Sequence, residues 1–174
     1  DSYFDDIIVQ GAWSLGDGLV NSKGWLINSL GSGVLSTNNV FNNCTMKNFV
    51  YGVYSDFDIS HNNWTDCSIS DCFNGYAFGL TTTPADDAPG KRTGPIFNQI
   101  RNSTFNNIYE EAIVIREGLN NVSTENKFIA CGNHGGSSAT ATTSVIRFGY
   151  KSSEASEARF DPRFHVGNKS ENDF

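Results

Sequence analysis

The chain has 174 residues, a net charge of −7 and a hydrophobic content of 38%, which suits a single domain with a buried core. Lysine and arginine are few and form no cluster, so the basic surface of a nucleic-acid-binding protein is missing. No apolar run approaches the ~20 residues that span a bilayer, and no charged-then-apolar signal segment opens the chain. We therefore expect neither nucleic-acid partners nor membrane insertion.

The residue types favour strands and frequent turns. Thirteen Phe, three Trp and six Tyr suit a core of strands. Seventeen Gly, with abundant Asn and Ser along the whole length, are turn formers. The composition predicts an all-β chain that changes direction often.

The stretch NNVFNNCTMKNFVYGVYS, which begins at Asn38, spaces its apolar residues by three, two and three positions. This spacing fits neither a helix nor a single regular strand. A shift of 23 residues aligns 39–54 with 62–77, with identical Asn, Cys and Gly at three positions. Repeats of 20 to 50 residues indicate a solenoid, in which short strands of successive turns stack on one another.

A short signature marks the copies of this repeat: an aromatic residue, any residue, Asn or Asp, then Cys or Ile. Its aromatic residues are Phe4, Phe41, Trp64, Phe105 and, in a degraded copy, Phe128. Two of the intervals equal the period of 23 and two are longer, as if loops had been inserted. Stacked turns would place four polar residues at one corner as a side-chain ladder, and these are Asp6, Asn43, Asp66 and Asn107.

With these features the chain resembles the right-handed parallel β-helix family, which includes pectate-lyase-like enzymes, polygalacturonases and the tailspikes and tail fibres of bacteriophages. The resemblance covers roughly Asp1 to Phe148, and we expect residues 1–150 to form the parallel β-helix domain. It implies an all-β solenoid of about six turns of ~23 residues with two inserted loops. Residues 151–174 do not follow the repeat, and we expect them to form a C-terminal cap, a linker or a subunit-contact segment.

The four cysteines allow two disulfides, a metal site or free thiols. The paired spacings of zinc sites are absent. Cys44, Cys67 and Cys131 fall at one position of the predicted repeat, where Ile also occurs, which favours free thiols packed in the core. We predict neither a metal nor a cofactor.

Two acidic pairs are the candidate catalytic residues, because glycoside hydrolysis needs two carboxylates across a cleft. Asp86 and Asp87 lie in a proline-containing loop, and Glu110 and Glu111 follow an aromatic residue. Solvated surface charge is the alternative interpretation of all four residues.

Polygalacturonases carry, in order, an Asn-Thr-Asp, an Asp-Asp, a Gly-His-Gly and an Arg-Ile-Lys motif. The first is absent here, 133–135 matches the third only in part, and 145–147 lacks the lysine of the fourth. No catalytic motif is complete, so the sequence leaves open whether the protein is an enzyme.

Four aromatic residues outside the predicted stack are candidates for contact with sugar rings, because an aromatic face packs on an apolar ring face. They are Trp13, Trp25, Tyr76 and Tyr109. Packing within the core is the alternative for each.

The resemblance and the incomplete motifs favour a virion structural and host-recognition element, a phage tailspike or tail-fibre β-helix that binds bacterial surface polysaccharide. Such a protein would be extracellular on the phage tail, a homotrimer, and in contact with other tail proteins. One alternative is a polysaccharide-degrading hydrolase or lyase on the same fold. Another is an architectural virion component without a ligand.

Overall fold

The computed structural model describes residues 1–14, 17, 22–27, 36–55, 59–78, 95–115, 118–132, 145–148 and 167–174. Eighteen β-strands are the regular elements of these residues. No helix occurs in the described ranges, so none there is long and apolar enough to cross a membrane.

The strands form three large parallel sheets and one small one. Sheet one consists of β1 (Tyr3–Asp5), β5 (Val40–Asn42), β9 (Asn63–Thr65), β12 (Gln99–Arg101), β15 (Val122–Thr124) and β18 (Lys169–Glu171). Sheet two consists of β2 (Ile8–Gln10), β6 (Thr45–Lys47), β10 (Ser68–Cys72), β13 (Thr104–Ile108) and β16 (Lys127–Ile129). Sheet three consists of β3 (Lys23–Ile27), β7 (Tyr51–Ser55), β11 (Asn74–Phe78), β14 (Ile113–Ile115) and β17 (Ile146–Phe148). The small sheet pairs β4 (Ser36–Thr37) with β8 (Ile59–Ser60).

The chain passes through sheets one, two and three in the same order each time, and neighbouring strands are parallel. We call one such passage a level. Phe41 lies opposite Trp64 in sheet one, and Met46 lies opposite Ile69 in sheet two. The prediction of an all-β fold built from stacked parallel strands is therefore confirmed.

Corners with a left-handed backbone separate the strands of each level. The positive-φ residues other than glycine fall into three columns along the stack. Corner one, before sheet one, contains Asn38, His61, Phe97 and Asn120. Corner two, between sheets one and two, contains Asp6, Asn43, Asp66, Asn102, Glu125 and Asn172. Corner three, at the C-terminal end of the sheet-two strands, contains Asn48, Asp71, Asn107 and Ala130, of which Asp71 and Asn107 are the next-to-last residues of β10 and β13. Asn and Asp adopt this conformation more readily than other non-glycine residues, which accounts for the many asparagines.

These corners explain the spacing of the apolar residues. Phe41, Cys44, Met46 and Phe49 are all buried, with exposed fractions of 2%, 0%, 1% and 8%. Side chains alternate in and out along each three-residue strand. Each corner residue then adds one position before the next inward side chain, so steps of two and three alternate.

Aromatic rings of successive levels stack inside sheet one. The ring centroids of Phe4 and Phe41 are 4.9 Å apart, and those of Phe41 and Trp64 are 5.2 Å apart with an interplanar angle of 4°. Trp64 is fully buried. Stacking of rings between neighbouring levels therefore forms a large part of this end of the core.

The predicted alignment of Phe105 with Trp64 was wrong. Phe105 lies opposite Ile69 in sheet two, whereas Ile100 lies opposite Trp64 in sheet one. Asn107 consequently leaves the predicted ladder and belongs to corner three, where its Nδ2 donates to Asp71 Oδ1 at 2.8 Å. An inward aromatic residue fits either sheet, and an Asn or Asp follows the strands of both, so the signature does not distinguish the two sheets.

The other three predicted ladder residues share corner two. Asn43 Nδ2 donates to Asp6 Oδ1, and the Asn43 backbone N–H donates to the Thr65 carbonyl at 3.0 Å. Asp66 accepts a hydrogen bond from Asn102, which takes the place that the sequence alignment gave to Asn107.

A buried asparagine column runs beside corner one and was missed in the sequence analysis. Its members are Asn39, Asn62, Asn98, Asn121 and Asn168. The backbone N–H and Nδ2 of Asn62 both donate to Asn98 Oδ1, at 3.1 Å and 3.0 Å. The same pair of bonds joins Asn98 to Asn121, at 3.1 Å and 3.0 Å. From Asn62 to Asn168, each amide oxygen thereby accepts hydrogen bonds from the asparagine of the level before it.

A second column of inward side chains, which we call the inner column, follows the strands of sheet one, and its residue type changes along the stack from Cys to Ser, Asn and Asp. Its members are Cys44, Cys67, Ser103, Asn126 and Asp173. Cys67 Sγ donates to the Phe41 carbonyl at 3.6 Å, and Asn126 Nδ2 donates to the Ile100 carbonyl at 2.9 Å, both across 26 residues. All four cysteines of the chain are free, as predicted, but Cys131 follows sheet two and does not share this column.

The C-terminal residues add the last described strand of sheet one. β18 pairs with β15, and the following Asp173 accepts hydrogen bonds from Asn126 N, Asn126 Nδ2, Ser123 Oγ and Ser170 Oγ. Residues 151–166 lie outside the described ranges, so the domain boundary at residue 150 stays a prediction.

Candidate functional site

A groove of about 250 Å³ opens beside corner three. Its lining residues are Trp13, Ser14, Asn48, Asp71, Cys72, Asn107 and Tyr109. Three of these, Asn48, Asp71 and Asn107, are corner residues of successive levels. The floor of the groove therefore repeats a short polar side chain from level to level.

Two aromatic residues form walls of this groove, and backbone hydrogen bonds to the stack hold both. The Trp13 N–H donates to the Asn48 carbonyl at 3.0 Å, and the Tyr109 N–H donates to the Cys72 carbonyl at 3.0 Å. Phe73 lies between the walls, with ring centroids 6.2 Å from Trp13 and 5.4 Å from Tyr109. Trp13 is thus fixed to the level of Asn48, and Tyr109 is fixed to the next level, that of Cys72.

Asp71 is the charged residue among the described residues that line the groove. Its Oδ1 accepts the bond from Asn107, and its Oδ2 lies 3.7 Å from Lys47 Nζ. The side chains of Lys47 and Asp71 are 46% and 37% exposed, so this ion pair contributes little to stability.

A second carboxylate lies next to the Trp13 wall. The backbone N–H and the hydroxyl of Ser14 both donate to Asp17 Oδ2 at 2.9 Å. These two hydrogen bonds lower the pKa of Asp17. Asp17 is therefore an anion at neutral pH, hydrogen-bonded to a residue of the groove lining.

Of the four predicted sugar-binding aromatics, Trp13 and Tyr109 line the groove, and the other two do not. Tyr76 is fully buried and packs against Trp64 and Phe105, so the prediction that it contacts a ligand was wrong. Trp25 packs edge-on against Phe4 and Phe41, with ring centroids 4.8 Å and 5.1 Å apart. Core packing, the alternative for both residues, is what the structure shows.

The candidate catalytic carboxylates do not meet across a cleft in the described ranges. Glu111 is 1% exposed; its Oε1 lies 3.1 Å from Arg147 Nε, and its Oε2 accepts a bond from Asn74 Nδ2 at 3.1 Å. This burial keeps Glu111 away from a polysaccharide, so its assignment as a catalytic residue was wrong. Glu110 is half-buried, and its backbone N–H donates to the Phe73 carbonyl. Asp86 and Asp87 lie outside the described residues.

The thiols are poorly suited to nucleophilic chemistry. Burial raises the pKa of Cys67 to about 11 and that of Cys72 to about 12, and it also raises the pKa of Cys131. A thiol with such a pKa stays protonated at neutral pH and is a weak nucleophile. The described part of the chain also contains no group of three or more His, Cys, Asp or Glu side chains arranged to hold a metal ion.

Sequence reasoning missed the polar floor of the groove, although one signal for it was present. Asn48 and Asp71 are a like-for-like pair of the 23-residue repeat, just as Asn43 and Asp66 are. Two equivalent pairs in one repeat indicate two corners. The aromatic signature indicated only the corner that contains Asn43 and Asp66, which is corner two.

Comparison with known proteins finds no relative: the chain matches no protein-family model, no curated protein and no solved structure. Function is therefore inferred from the sheets and the groove.

Proposed function

We propose that the chain is a right-handed parallel β-helix of about six turns that acts as a virion structural and host-recognition element, of the phage tailspike or tail-fibre type, and binds bacterial surface polysaccharide. The observation that carries this proposal is the groove beside corner three, with aromatic walls and a polar floor on a stack of parallel strands. The extracellular location, the homotrimer and the contacts with other tail proteins belong to the proposal through the resemblance.

Two features support the β-helix. Sheet one has six strands, which matches the proposed number of turns. Connections between parallel strands are nearly always right-handed, because the twist of the strands favours that hand.

The chemistry of the groove suits a carbohydrate. Sugars present apolar ring faces, which pack on aromatic side chains such as Trp13 and Tyr109. They also present hydroxyl groups, which exchange hydrogen bonds with the amide and carboxylate groups of Asn48, Asp71 and Asn107. A floor that repeats from level to level suits a ligand that is itself a repeating polymer.

Binding to an array of bacterial surface polysaccharides tests the proposal. We expect Trp13→Ala and Tyr109→Ala each to weaken binding about tenfold, since both remove an aromatic wall. Tyr3→Ala is the matched control, because Tyr3 is an aromatic residue of sheet one with 65% of its surface exposed. Failure of the wild-type protein to bind any polysaccharide would overturn the proposal, and so would an equal loss in the control.

The same incubations test the competing activity, a polysaccharide hydrolase or lyase. New chain ends released by the wild-type protein and lost in Glu110→Gln would establish degradation. Unchanged chain length with retained binding supports recognition without cleavage.

A further inference from the structure

Among the described residues that line the groove, one side chain is charged, and that side chain is negative. Asp71 supplies the charge, and the other lining residues are aromatic, amide, hydroxyl or thiol side chains. Asp17, which accepts both hydrogen bonds from Ser14 of the lining, adds a second carboxylate one residue contact away from the lining. The chain as a whole carries a net charge of −7, so its overall field also disfavours anions.

Lys47 does not cancel this charge for a ligand. Its ammonium is 3.7 Å from Asp71 Oδ2, and Lys47 is not part of the lining. Exposed pairs of this kind are weak and exchange readily with other ions. A ligand amine is able to replace the Lys47 ammonium at Asp71, whereas a ligand carboxylate placed there meets a like charge.

From this arrangement we infer, on the basis of the proposed carbohydrate function, that the groove accepts uncharged and amine-bearing sugars and rejects sugars that carry carboxylate or phosphate groups. Asp71 determines this selectivity. An ammonium group gains a charge-assisted hydrogen bond to Asp71 Oδ2, and an anionic group is repelled by it. The attraction and the repulsion both act through a partly exposed carboxylate, so salt weakens both.

Asp71→Asn tests the role of the charge without changing the corner. Asn already occupies the equivalent corner-three positions 48 and 107, where it has the same left-handed backbone. An asparagine at position 71 also retains a side-chain oxygen that can accept the bond from Asn107. Asp66→Asn is the matched control, because it removes one negative charge at corner two, outside the groove lining.

The measurement uses a bacterial glycan array that also contains two chemically matched pairs of hexamers. One pair is glucosamine hexamer before and after N-acetylation, and the other is galacturonate hexamer before and after reduction of its carboxyl groups. For the wild-type protein we expect the amine form to bind about threefold to fivefold more tightly than the acetylated form, the size of one exposed ion pair. The carboxyl-reduced hexamer should bind more tightly than the galacturonate hexamer by a similar factor.

In Asp71→Asn the affinity ratio within each matched pair of hexamers should approach one, while Asp66→Asn should keep the wild-type affinity ratios. Preference for acidic glycans across the array, or unchanged ratios in Asp71→Asn, would overturn the selectivity and leave the carbohydrate function standing. Absence of binding to every glycan would overturn the proposed function and this inference together.

Discussion

The two ends of sheet one have the same backbone conformation at their corners, but their inward side chains are aromatic at one end and polar at the other. Near the N-terminal end, Phe41 and Trp64 stack their rings at 5.2 Å. Near the C-terminal end, the equivalent inward residue Ser123 donates to Asp173 Oδ2 at 2.6 Å. The corner residues have positive φ at both ends. The corners therefore define the level, and the interior of a level is filled either by apolar packing or by hydrogen bonds.

The test with the largest expected loss of stability removes the fully buried ring of Trp64 at the aromatic end of sheet one. Trp64→Ala should lower the free energy of unfolding by about 3 to 5 kcal/mol, because a fully buried indole leaves a cavity. Ser123→Ala, the matched change at the polar end, should cost about 1 kcal/mol. Equilibrium denaturant unfolding measures both, and equal losses would show that the two interiors contribute alike.

The second test breaks the buried asparagine column. Asn98→Ala removes the acceptor of Asn62 N and Nδ2 and the donor to Asn121 Oδ1, so we expect a loss of about 2 to 3 kcal/mol. Asn106→Ala, on an exposed strand position of the same level, should change stability little. If Asn98→Ala leaves the free energy of unfolding unchanged, water would have to replace the hydrogen bonds that Asn98 makes in the column.

Some features of the fold could be predicted from the sequence, and others could not. Stacked parallel strands, the inward set from Phe41 to Phe49 and the free thiols were predictable, because the 23-residue period and the three-two-three spacing record the corners directly. The register of Phe105 was not, because sheets one and two both accept an aromatic side chain.

The groove was predictable only in part. Trp13 and Tyr109 were named from their residue type, but so was Tyr76, which is in the core. Glu111 was chosen for its charge, and its burial with Arg147 and Asn74 depends on contacts across 36 and 37 residues. Local sequence does not record such contacts between levels.

High pH should lower the stability of the levels that contain buried thiols, and Cys67 and Cys72 both lie in the level of Trp64, at the aromatic end of the stack. Below the ordinary thiol pKa of 9.0 both the folded and the unfolded chain keep the proton, and stability is full. Above it the unfolded chain loses protons that folded Cys67 and Cys72 keep up to about pH 11 and 12, so stability falls.

We therefore expect the wild-type protein to lose about 2 to 3 kcal/mol between pH 8 and pH 10, because each of the two thiols contributes more than about 1 kcal/mol. The double variant Cys67→Ser, Cys72→Ser should lose less over the same range, as measured by denaturant unfolding at the two pH values. The remaining loss reports the Cys131 thiol and the buried Tyr76 phenol, whose pKa values are also raised by burial. Identical losses in the two proteins would exclude the thiols as the cause.

The smallest test concerns an aromatic residue at a corner. Phe97 has a φ of 54° and is 47% exposed, next to His61 in corner one. Left-handed backbone costs most residues about 1 kcal/mol, and asparagine less. Phe97→Asn should therefore stabilise the fold by about 1 kcal/mol in thermal or denaturant unfolding. A destabilised variant would show that the ring contact with His61 outweighs the backbone strain.

The constant spacing of the corners restricts how the gene for this protein can change in length. Corner one and corner three are ten residues apart at every level where both are described (38 to 48, 61 to 71, 97 to 107 and 120 to 130). A codon gained or lost within one of these segments would shift all later side chains of that segment out of their columns. Length differences between levels occur instead between corner three and the next corner one, since 71 to 97 is longer than 48 to 61 and 107 to 120. An engineer who wishes to display a foreign peptide on this protein should insert it there.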